Sequence, residues 1–171
     1  MVVSAPAVVV APVANVYEEN ADLGTLLTPA QRSELSQNTL SQFPVWGVVV
    51  LHIVTLGLFS LIYQGLKFSK LPKAKHDDFG ADKAIGFSFI PYFNLYWHFV
   101  FWLGLTDRLN FQHRVRGGAP PISRGLVLAT VITTLAGAFL IIPLPVAYLI
   151  LQPMCLAQMQ RATNEVAMAP A

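Results

Sequence analysis

Charge is what this chain has little of. Residues 35–66, 84–106 and 125–160 contain no Asp, Glu, Lys or Arg, and only 12 % of the 171 residues are charged, about half the share of an ordinary soluble domain. Cysteine is scarcer still. The single Cys155 excludes an intrachain disulfide and a paired thiolate metal site, and its place in the last apolar stretch reads as a small core residue. No basic residue precedes Arg32, and Pro6 and Pro12 interrupt the apolar run 1–16. That run therefore lacks the charged start and continuous core of a signal peptide. At a formal net charge of +2, with Lys and Arg dispersed between apolar stretches, nucleic acid is excluded as a partner. Reactive groups are missing too. Ser60, Ser88 and Cys155 lie in the charge-free stretches, but no carboxylate accompanies the histidines there and no Gly-rich phosphate loop opens a helix. No catalytic role is expected. Transport is equally unsupported without a buried acid or base.

What the chain does have is apolar length. Apolar residues make up 54 % of it, mean hydropathy is +0.55, and each charge-free stretch exceeds the ~20 residues that span a ~30 Å hydrocarbon core. The expected fold class is an all-α integral membrane protein with about four membrane helices. Residues 44–66 form the first span, with Trp46 and Tyr63 near its two ends and Gly57, after Thr55, as a point of breakage or close packing. Residues 84–105 form the second. It holds nine aromatic residues, Tyr96, Trp97 and Trp102 among them, too many for interfacial belts alone, and Pro91 kinks or restarts it. The third stretch, 125–160, is too long for one crossing. Pro143-Leu144-Pro145 removes two backbone donors, so the last two helices are expected to form a short proline-turn hairpin. A single kinked helix, giving three crossings, is the alternative. Asn94, Tyr96, Trp97, Trp102, Pro143 and Pro145 are the residues expected to pack or interact.

Residues 1–42 read as an extramembrane arm, rich in Ala, Pro and Val and then acidic at Glu18, Glu19, Asp22 and Glu34. Thr28-Pro29-Ala30-Gln31 is a helix start, which predicts a short surface helix over 29–35. Residues 43–166 form the membrane domain and 167–171 a tail. In the loop 67–83, with its five lysines, His76-Asp77-Asp78 reads as solvated rather than metal-binding. A weak repeat lays residues 89–96 on 141–148, each copy followed by a polar exit: Thr106-Asp107-Arg108-Leu109-Asn110 and Gln160-Arg161-Ala162-Thr163-Asn164. Basic residues are too evenly divided to orient the chain. Either the helices cross, which is preferred, or some enter and return, leaving every basic segment on one face.

Val54-Thr55-Leu56-Gly57-Leu58-Phe59, the segment Ile90-Pro91-Tyr92-Phe93-Asn94-Leu95-Tyr96-Trp97, and Pro153 with Gln158-Met159-Gln160 and Asn164 resemble a family of small bacterial multi-pass membrane proteins classed as a domain of unknown function. The resemblance covers residues 43–166. It implies a multi-pass protein of the bacterial inner (cytoplasmic) membrane and assigns no site residue.

His52 and His98 are the sharpest chemical feature. In antiparallel helices both would sit about 10 to 12 Å below the same surface, a geometry suited to two axial imidazoles on a haem or to separate pigments. The plainer reading pairs each with a neighbouring helix, through Asn94 or Gln64. The expected function is a noncatalytic accessory or structural subunit, with the lipid bilayer and a larger membrane complex as partners and no cofactor. The alternative is a haem- or pigment-binding membrane protein.

Overall fold

The computed structural model describes residues 28–72, 79–90, 92–140 and 143–168, and every regular element among them is helical. Helix α1, Pro29–Ser36, starts on a capping box. Gln31 N donates to Thr28 Oγ1 (3.3 Å) while Thr28 N donates to Gln31 Oε1 (3.0 Å). The residues before Thr28, with the acidic cluster at Glu18, Glu19 and Asp22, lie outside the described residues, as do His76-Asp77-Asp78, Pro91 and residues 169–171.

The first charge-free stretch is two helices, α2 (Val45–Val54) and α3 (Leu58–Lys70), joined by a left-handed reversal at Leu56 (φ 52°) and Gly57 (φ 89°). Gly57 adopts this conformation freely, whereas a leucine there costs roughly 1–2 kcal/mol. Thr55 closes the reversal from both sides. Its Oγ1 donates to Leu51 O (2.6 Å) and accepts from Phe59 N (3.0 Å), serving an end carbonyl of α2 and a starting N–H of α3.

The second stretch opens with α4 (Ala81–Gly86) and a 3-10 turn, Phe87–Phe89. After Tyr92 (φ 61°) it continues as α5 (Phe93–Val115). The third contains α6 (Arg124–Leu140), the single turn α7 (Pro143–Val146), a turn of π-helix at Ala147–Leu151, and α8 (Gln152–Met168). Pro153 cannot donate to Leu149 O and its ring crowds that carbonyl, which explains why the helix widens just upstream. α6 and α8 run antiparallel: Gln152 Nε2 donates to Thr134 Oγ1 (3.0 Å), and Gly137 lies against Leu144.

Three helical hairpins result, α2/α3, α4/α5 and α6/α7–α8. Their reversals share one end of the molecule, since Tyr148 Oη donates to the carbonyls of His52 (3.0 Å) and Ile53 (2.9 Å), tying the third tip to the first. One cavity also collects His52, His98, Thr130 and Gln152 at a single level below all three tips. The opposite end, the base, carries α1 and the polar exits.

Among the described residues no helix is long and apolar enough to cross a membrane. This corrects the expected integral membrane fold with about four membrane helices, three or four crossings alike, and with it the multi-pass placement in a bacterial inner membrane. The physical reason is that charge-free length is not helix length. Residues 44–66, expected as one crossing, break at Leu56-Gly57 into helices of 10 and 13 residues, about 15 and 20 Å long. α5 has the length, at 23 residues, but its second half carries Asp107, Arg108 and Arg114. α6 is apolar but spans only 17 residues, about 25 Å.

Close backbone approach holds the third hairpin. A Cβ on Gly137 would stand 2.8 Å from Leu144 Cα and 2.9 Å from Leu144 N, atoms that cannot rotate away, while one on Gly86 would meet nothing within 4 Å. Gly137→Ala should therefore lower stability by about 1–3 kcal/mol in denaturant unfolding of the purified chain. Gly86→Ala should leave it unchanged or slightly raised.

Candidate functional site

His52 ends α2 and His98 lies one turn into α5, and the cavity they share is lined also by Trp102, Gln152 and Cys155. Its interior is about 20 Å³, room for about one water. A porphyrin between the imidazoles would require α2, α5 and α8 to separate. His52 Nδ1 lies 3.0 Å from Ser60 Oγ across the Leu56-Gly57 reversal, and His52 Nε2 makes no hydrogen bond within the chain. Burial lowers the His52 pKa, opposed in part by the Gln152 amide. Burial also pushes His98 down to about 4 and the Cys155 thiol up to about 12. At neutral pH both imidazoles are neutral and the thiol is protonated.

The Ser60–His52 pair has the contact of a nucleophile and its base but not the surroundings of one. Ser60 is 1 % exposed and His52 4 %, and no carboxylate lines the cavity to orient the ring. Among the described residues no three His, Cys, Asp or Glu side chains come together to hold a metal. No family model, curated protein or solved structure matches the chain. The reading of this site therefore rests on its own geometry.

The other expected interaction residues are scattered. Trp97 is buried, with Nε1 donating to Ala84 O (3.1 Å) and its ring 4.7 Å from Phe79 and 4.9 Å from Phe87. Trp102 packs on Phe101 and on His98, with centroids 5.1 and 6.1 Å apart. Tyr96 is exposed, and Asn94 Oδ1 is buried without a partner. Pro143 and Pro145 lie in the short α7.

Sequence reasoning missed the base. Lys67, read as the edge of a loop, is buried. Its Nζ donates to Gln160 Oε1 and Thr163 Oγ1 (both 3.0 Å) and lies 4.7 Å from the centroid of Tyr63. Gln160 Nε2 donates to Phe43 O (3.2 Å), and Asn164 brackets Phe43 through both its N–H and its carbonyl. Arg108, also buried, donates to the carbonyls of Phe68, Leu71 and Phe79. The polar exits of the weak repeat were the available signal, since they supply Arg108 and Asn110 in one copy and Gln160, Thr163 and Asn164 in the other.

Burial lowers the Lys67 pKa to about 7 from 10.5. The unfolded chain then binds more protons than the folded chain between these values, so stability should rise with pH across that window. The slope should be on the order of 1 kcal/mol per pH unit and vanish below the folded pKa. Lys67→Met should flatten the dependence and stabilise the chain at pH 6, measured by denaturant unfolding at several pH values. The purified chain should show no visible absorption; a Soret or chlorophyll-type band lost on His52→Ala or His98→Ala would place a pigment between the rings.

Proposed function

We propose that the chain is a noncatalytic accessory subunit of a larger assembly. The observation that carries this reading is the division of the molecule into two chemically different ends. Every charged side chain among the described residues belongs to the base, where basic residues outnumber acidic ones nine to four. The hairpin tips expose large apolar side chains, including Val54 and Leu56, Phe89 and Tyr92, and Phe139 and Leu140.

An apolar surface drawn from three separate hairpins exceeds the scattered apolar residues of an ordinary monomer and marks a surface covered in use. Reactive chemistry has no comparable support. The one Ser–His contact among the described residues is closed off, and the single thiol is buried and protonated at neutral pH. Function then lies in holding things together, with the tips covered and the base, with α1 and the N-terminal residues, offered to the partner.

Purification from the source cells in mild detergent should find the full chain co-migrating with larger proteins. Deleting residues 1–27 should release it, because their acidic cluster and Ala-Pro-Val run are the segment best suited to dock on another protein. A full-length chain that always runs alone would overturn the reading.

A further inference from the structure

We infer that the three hairpin tips insert together into one leaflet of a lipid bilayer, without crossing it, and that the charged base stays at the headgroups. This goes beyond the accessory reading and names what covers the apolar end.

Three independent observations converge on lipid. The first is strain. Leu56 and Tyr92 are the two non-glycine residues with positive φ among the described residues, and they are also the most exposed large hydrophobic side chains, at 83 % and 90 %. Asn or Gly would sit at the φ of Leu56 with less strain, and Gly alone suits Tyr92 at φ 61°, ψ −45°. Large apolar side chains persist where both the backbone and water disfavour them, and both sit at the apex of a hairpin. Strain retained at a site is a pointer to use.

The second observation is how polar groups at this end are paired. Thr130, Thr133 and Thr134 each donate to the carbonyl four residues earlier at 2.7 Å, and Ser88 does so to Ala84 O at 3.0 Å. Thr55 closes its own reversal, and Tyr148 Oη covers two carbonyls at the end of α2. Hydroxyls turned inward in this way suit hydrocarbon, where no solvent can satisfy them. A protein partner would instead be met by a polar rim offering outward hydrogen bonds.

The third is dimension and charge. From the level of the cavity the third hairpin rises ten residues, Thr130 to Leu140, about 15 Å, the depth of one leaflet's hydrocarbon. His52 to Leu56 and His98 to Tyr92 span only about 6 and 9 Å, so the first two tips sit shallower. No charge lies beyond that level, and exposed Lys83, Arg124 and Arg161 stand on the base side, as attraction to anionic headgroups requires. Trp46, exposed at the base end of α2, is an interfacial residue type in a fitting position.

The test uses the full chain in a Cys155→Ser background, with spin labels on Leu56→Cys, Leu140→Cys, Ser123→Cys and Arg161→Cys. Vesicles of phosphatidylcholine with phosphatidylglycerol should make the two tip labels accessible to oxygen and inaccessible to a nickel chelate. The two base labels should stay accessible to nickel. An impermeant thiol reagent outside the vesicles should reach both base cysteines and neither tip cysteine, and reagent trapped inside should reach none. Leu56→Asn should unfold no more easily than the parent, because it relieves the backbone, yet bind these vesicles about tenfold more weakly.

Failure to bind vesicles overturns the inference, as does labelling of the tips from inside, which would mean crossing. A lipid-free dimer that protects the tips and ignores vesicles would make a second copy the occupant. So would Leu56→Asn overturn it by binding vesicles as tightly as the parent. Each of these leaves co-migration with a larger partner intact, whereas vesicle insertion by a chain that always purifies alone would defeat the accessory reading and spare this one.

Discussion

The guanidinium of Arg108 is the constraint on which the base depends. α3 ends at Lys70, and the carbonyls of a last helical turn have no partner of their own. Arg108 supplies donors to Phe68 O and Leu71 O, places a cation where the helix dipole favours one, and reaches Phe79 O at the start of the next hairpin. Its Cζ lies over the Phe68 ring, 4.7 Å from the centroid. One side chain thereby fixes the descending leg of the first hairpin, the rising leg of the second, and α5 itself. A buried cation cannot slide to a neighbouring register without losing these bonds, so the penalty for misplacement is high. Lys67, whose charge burial weakens, ties α3 to α8 through Gln160 and Thr163. With register set at the base, the tips are free to carry side chains that contribute little to folding.

The parts of the fold legible in the sequence were those written in composition or in local chemistry. Helical content followed from apolar length, and the start of α1 from Thr28, Pro29 and Gln31. The reversal at Leu56-Gly57 was visible only as a point of breakage, because leucine gives no left-handed signal and a glycine among apolar residues is as often a packing position. Counting uncharged residues therefore merged two helices into one and produced the expectation of crossings. In the third stretch Pro143 and Pro145 marked a break that periodicity alone would have missed. They begin the returning leg as α7, and the close approach of Gly137 to Leu144 accounts for the packing there.

The candidate site was half legible. His52 and His98 could be set at one depth by counting along antiparallel helices, and they do line one cavity. The partner of His52 could not be read, since Ser60 lies eight residues away along the chain and only the reversal brings it opposite. Asn94 and Gln64, the partners expected from residue type, are not hydrogen-bonded to either ring. Lys67 was unreadable for a related reason. A lysine at the end of an apolar run is the ordinary mark of a helix leaving for solvent, and its burial depends on Gln160 and Thr163 arriving 93 and 96 residues later.

The polar residues inside the apolar stretches argue for a structural role over a chemical one. Thr55, Ser88, Thr130, Thr133, Thr134 and Tyr148 each donate to a main-chain carbonyl close to a reversal or within their own helix. A reaction centre concentrates its polar groups on one point, with donors and acceptors converging on where a substrate would sit. Here they diverge, each stabilising the backbone nearest to it. His52 Nε2, Asn94 Oδ1 and Gln158 Oε1 are exceptions, and Gln64 is the largest. Both its amide atoms are buried without a partner, an arrangement that costs about 1–3 kcal/mol per group, and nothing among the described residues explains it. Since α3 carries Gln64 one turn above Lys67, that cost falls at the border between the two ends, where the chain passes from satisfying its polar groups internally to fixing them through cations.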